Sequence, residues 1–153
     1  MIHHLRQHGT RVVVASNQEE ASLRKLLRGH KIEDLFDAVY TSEALGVRKP
    51  FSDFWAAILD RENSSPETTI HVGNSPNSDI GAARLGIKTM LWDPGGEIGS
   101  AMRSKKNFRL AHPDVDEKEF FRLLHSGLVH PFTTFPQALE ALCCPPSSPA
   151  LTE

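Results

Sequence analysis

A chain of 153 residues, 39% hydrophobic and 24% charged, has the balance needed to bury one core of ordinary size, which excludes wholesale disorder. A formal charge of −2 gives no reason to expect nucleic acid or an anionic membrane as partner, and MIHHLRQHGT lacks the apolar core of a secretory signal. No apolar run approaches the roughly 20 residues that span a bilayer, and adjacent Cys143 and Cys144 build no disulfide framework, so a cytoplasmic protein is expected.

Residues 1–9 read as the end of a helix, with Ile2 and Leu5 on one face and Gly9 as its stop. His3, His4 and His8 lack acidic or cysteine companions and read as solvated helix residues rather than metal ligands. The run Arg11–Ala15, RVVVA, has the continuous apolar character of a strand covered on both faces. Ser16-Asn17 follows at its carboxyl end, and Asn17 with Glu20 has capping-box spacing, which predicts a helix carrying Leu23, Leu26 and Leu27 inward and ending at Gly29. DAVYTS, 37–42, is a second strand. Residues 46–50, GVRKP, form a loop, and 52–61 a helix packed through Phe54, Trp55 and Ile58.

A polar connection over 63–68 leads to Thr69-Ile70-His71-Val72, a buried β-branched strand that Gly73 stops. Ser75 suits a helix cap and Pro76 the first helical position, while Asp79 lies in the first turn, where the helix dipole favours a carboxylate. Ile80, Ala83 and Leu85 supply the apolar face and Gly86 the left-handed stop. IKTMLW, 87–92, is a fourth strand, ended by Asp93-Pro94-Gly95-Gly96. Beyond Gly99 a basic cluster (Arg103, Lys105, Lys106, Arg109) reads as a solvated face, 116–125 as an amphipathic helix through Phe120, Phe121 and Leu124, 135–142 as a short helix, and 143–153 as a tail. Alternating strands and helices predict a three-layer, Rossmann-like parallel α/β sheet with helices on both faces, one core over 1–142 and a flexible end over 143–153. A dinucleotide-binding variant lacks its GxGxxG after any strand.

Four features in order, Ser16-Asn17 after a strand, Lys49-Pro50 in a loop, Gly73-Asn74-Ser75…Asp79 opening a helix, and Gly86-Ile87 before a strand, resemble the haloacid dehalogenase-like hydrolases, in particular their small phosphatases with a helical cap. The resemblance covers about residues 2–94. It implies a Mg²⁺-dependent phosphatase of small phosphomonoesters, in which an aspartate of the first strand attacks the phosphoryl group. It further implies that Ser16 and the Asn17 N–H bind phosphate, that Lys49 binds phosphate and stabilises the charge on nucleophile and phosphoryl group, and that Asn74 and Asp79 hold Mg²⁺. Two departures qualify this. No aspartate precedes Asp34, so the nucleophile is missing, and with it the first strand and the inserted cap. Asn74 stands where the family has a carboxylate, which weakens metal binding. The expectation is an incomplete hydrolase core that does not turn over phosphate esters as this chain and that self-associates through exposed strand edges. The competing expectation is a non-catalytic regulatory module that binds phosphate or a partner.

Overall fold

The computed structural model describes residues 2–96, 98, 109, 112–134 and 136. The expected helix over 135–142, the tail over 143–153, Gly99 and the basic residues Arg103, Lys105 and Lys106 lie outside them, apart from position 136. The chain divides into two compact units, 1–65 and 66–153.

In the first unit, α1 (Ile2–Gln7) leads to β1 (Val13–Ser16), α2 (Glu20–Gly29), β2 (Ala38–Thr41), the single-turn α3 (Ser42–Leu45) and α4 (Ser52–Glu62). β1 and β2 pair in parallel with Val13 opposite Ala38 and Ser16 opposite Thr41. α4 forms because Phe54, Trp55, Ile58 and Leu59 fall on one stripe, and all four are buried. Burying an aromatic ring such as Phe54 contributes about 2–3 kcal/mol, and its edge-to-face contact with Trp55 adds to it. The end of α4 is tied back to the sheet through Glu62, whose Oε1 and Oε2 accept from the Arg11 guanidinium at 3.2 and 2.6 Å and whose Oε1 also accepts from the Tyr40 hydroxyl at 2.6 Å.

In the second unit, β3 (Ile70–Gly73) leads to α5 (Pro76–Arg84), β4 (Lys88–Trp92), α6 (Glu117–His125) and β5 (Val129–Phe132). The three strands form one parallel sheet ordered β3-β4-β5. Leu91 and Val129 join Ile80 and Ala83 of α5 and Phe120, Phe121 and Leu124 of α6 in one core cluster. Asp116 caps α6 by accepting from the N–H groups of Lys118 and Glu119. Ser75 caps α5 by accepting from Ser78 N–H.

The architecture is the expected parallel α/β arrangement, in two short sheets of two and three strands. Four local expectations are corrected. Asn17 does not cap α2: its side chain bonds Lys49, and the first N–H of α2, that of Glu20, donates to Glu43 Oε2 at 2.9 Å. Leu26 is 49% exposed, because Leu23 and Leu27, one turn apart, already fill the inward stripe. β1 is half-buried rather than covered on both faces. β3 is an edge strand, so Ile70 and Val72 are 45% and 46% exposed on a face that its neighbour β4 buries at Met90. No helix among the described residues is long and apolar enough to cross a membrane.

Candidate functional site

The expected site residues fall into two groups, one in each unit, each at the carboxyl end of a parallel strand. In the first unit β1 ends at Ser16, whose Oγ accepts from Gln18 N–H at 3.0 Å and keeps its own proton for donation. Asn17 uses both ends of its carboxamide on one residue. Its Oδ1 accepts from Lys49 N–H at 2.8 Å, and its Nδ2 donates to the Lys49 carbonyl at 3.1 Å. The Ser42 hydroxyl donates to the Asn17 carbonyl at 3.2 Å. Lys49 precedes a cis Lys49–Pro50 bond, is half-buried, and carries its ammonium 5.5 Å from the centre of the buried Trp55 ring. The structure therefore brings Asn17 and Lys49 into direct contact, as their order in the chain alone does not reveal.

In the second unit β3 ends at Gly73, and the loop 73–75 is built around a carboxylate. Asp79 is 1% exposed. Its Oδ2 accepts from the N–H groups of Asn74 and Ser75 at 3.1 and 3.0 Å, and its Oδ1 lies 3.0 Å from His71 Nε2. A buried carboxylate needs such partners, since an unsatisfied one costs several kcal/mol. Asn74, by contrast, is exposed. Gly73 makes the arrangement possible: a Cβ there would sit 2.2 Å from Asp79 Oδ2 and 2.7 Å from His71 Nε2.

A hard cation requires oxygen ligands open to it. The exposed Asn74 amide meets that requirement, while Asp79 accepts the two loop bonds through Oδ2 and turns Oδ1 toward His71 Nε2. Among the described residues no group of three or more His, Cys, Asp or Glu side chains could hold a metal ion. An open hollow of about 410 Å³ in the first unit is lined by none of the expected site residues, and its cations Arg6 and Arg11 are engaged by Asp37 and Glu62. Sequence patterning did not single out His71 and Trp55 as supports of the two groups. A histidine within an apolar strand was the signal for the first, and nothing in local spacing pointed to the second.

Comparison with known proteins places this geometry in a family context. Residues 1–92 match the family described as haloacid dehalogenase-like hydrolase. The chain is 36% identical over 87 residues to haloacid dehalogenase-like hydrolase domain-containing protein 3 of Xenopus laevis, covering 56% of this chain and 35% of that protein. It is 31% identical over 119 residues to a glyceraldehyde 3-phosphate phosphatase of Pyrococcus furiosus, covering 77% and 41%. Among solved structures, the HAD-hydrolase YfnB from Bacillus subtilis, bound to magnesium, aligns with a TM-score of 0.58 at 26% identity, over 61% of this chain and 42% of that one. A HAD-superfamily hydrolase from Ehrlichia chaffeensis shares the fold at a TM-score of 0.63 and 15% identity, over 93% and 54%. The chain spans about two fifths of the length of these curated relatives.

Proposed function

The chain belongs to the haloacid dehalogenase-like hydrolases, and from that premise we propose that it is the core of a Mg²⁺-dependent phosphatase of small phosphomonoesters, inactive as these 153 residues because no aspartate precedes Asp34. The observation that carries the reading is the direct pairing of Asn17 with Lys49, two motif residues 32 positions apart. A phosphate needs N–H and O–H donors and a cation. Ser16 Oγ–H and the Asn17 N–H supply the donors, and Lys49 neutralises charge on the phosphoryl oxygens. The face of the Trp55 ring steers its ammonium.

Mg²⁺, when bound, would offset the remaining phosphoryl charge. Asn74 would meet it through its amide oxygen and Asp79 through its carboxylate, whose Oδ2 also fixes the loop that carries Asn74. A neutral amide in a carboxylate's place also supports a second reading, a non-catalytic module that binds a phosphorylated metabolite or a partner. The two readings share phosphate binding and differ in turnover. Titration of the chain with inorganic phosphate, followed by NMR, is expected to shift the amides of Ser16 and Asn17. Lys49→Ala is expected to weaken that binding at least about tenfold, since a charge-assisted bond contributes about 1.5–3 kcal/mol. Binding that survives the substitution unchanged removes Lys49 from the site.

A further inference from the structure

We infer that the Asn17 carboxamide is the positioning group of Lys49: it fixes the lysine backbone so that the ammonium is delivered over Trp55. The inference rests on the reading of Lys49 as the cation that meets phosphate, and adds what holds it there.

The stretch that carries Lys49 has no ladder of its own. α3 ends at Gly46, whose φ of 70° is a left-handed cap, and α4 does not begin until Ser52. Between them a turn closes with Phe51 N–H donating to the Arg48 carbonyl at 3.1 Å. Lysine itself is a compact charge on a flexible four-carbon stem, so a set location for the ammonium requires a fixed root and a preferred resting surface. The root is Asn17. Lys49 N–H can only donate and the Lys49 carbonyl can only accept, so the carboxamide fits them in one orientation alone, Oδ1 toward the N–H and Nδ2 toward the carbonyl. The resting surface is Trp55, 4% exposed, whose ring centre lies 5.5 Å from Nζ.

Asn17 is itself fixed. Its carbonyl accepts from the Ser42 hydroxyl, and three residues on, Glu20 N–H donates to Glu43. The start of α2 and the α3 turn are thus stitched together beside the lysine loop. The side chain of Asn17 is occupied by this task, which leaves its backbone N–H as the part offered to an anion.

NMR on the isotope-labelled 153-residue chain tests the inference. Wild type is expected to show an upfield ring-current shift on the Lys49 ε protons and slower amide exchange at Lys49 than at Arg48. Asn17→Ala is expected to accelerate Lys49 amide exchange about tenfold, the loss of roughly one net hydrogen bond, and to move the ε-proton shift toward that of free lysine while the α4 resonances stay in place. Asn17→Asp keeps an acceptor for the N–H but turns an oxygen toward the Lys49 carbonyl, so it is expected to retain amide protection and lose part of the ring-current shift. That variant keeps the size and the acceptor of asparagine and carries the test if Asn17→Ala does not fold. A Lys49 ε-proton shift equal to wild type in the folded variants overturns the inference. Inorganic phosphate added to the same samples separates the two levels. Wild type that ignores phosphate defeats the reading of the site, while the ε-proton shift still decides the role of Asn17.

Discussion

At Gly73 a side chain has nowhere to go. The nearest atoms to an added methyl group would be the carboxylate of Asp79 and the imidazole of His71, at 2.2–2.7 Å, and neither is the loose end of a flexible chain. Asp79 Oδ2 is held by two backbone N–H groups, so it cannot step aside without leaving those donors unsatisfied. Gly73→Ala is therefore expected to destabilise the second unit by about 1–3 kcal/mol, the usual range for forced overpacking. Urea denaturation measures it, and an unchanged midpoint would contradict the placement of Asp79. The same residue-scale logic explains what the sequence could not reveal about Asn17. Its spacing to Glu20 fits a capping box, yet the pull of a complementary N–H and carbonyl on Lys49, 32 residues away, outcompetes the local bond.

Between elements, two arginine–carboxylate forks add to the acid sensitivity that Asp37, held low chiefly by the Val12 N–H, also confers. In the first unit the Arg11 guanidinium, by hydrogen bonding, holds the Glu62 carboxyl below its ordinary range against the opposing effect of burial. In the second, Arg84 of α5 does the same for Glu119 of α6, with bonds of 2.9 and 2.5 Å. A carboxyl whose folded pKa is depressed contributes stability that is present above its unfolded value, about 4.3 for glutamate, and is lost as pH falls through the lower folded value. Melting temperature is thus expected to fall as pH drops below about 4.3, and Glu62→Gln or Glu119→Gln is expected to flatten that fall. A melting temperature independent of pH across this window would contradict both forks. Elements with a strong period were legible: α4 through Phe54, Trp55 and Ile58, and α6 through Phe120, Phe121 and Leu124. β5 was not, because Pro131 interrupts a four-residue run, and only its place at the sheet edge makes the missing N–H harmless. The exposure of Ile70 and Val72 was equally hidden, since a β-branched run does not say whether its strand is central or at an edge.

Across the whole molecule, family and parallel α/β class were both readable, because Ser16-Asn17, Lys49, Asn74 and Asp79 stand in a fixed order after strands. What spacing could not supply was how each residue is held, which depends on Trp55, His71 and the twofold bond from Asn17. The proposed phosphate site at Ser16, Asn17 and Lys49, without turnover by these 153 residues, is tested by Mg²⁺-dependent phosphate release from p-nitrophenyl phosphate, measured on the chain and on its Lys49→Ala variant. Release no faster than the blank is expected from both. Release by the chain that disappears in Lys49→Ala would mean that a nucleophile other than an aspartate ahead of Ser16 completes the site. Release that persists in Lys49→Ala would contradict both the proposed inactivity and the role of the lysine.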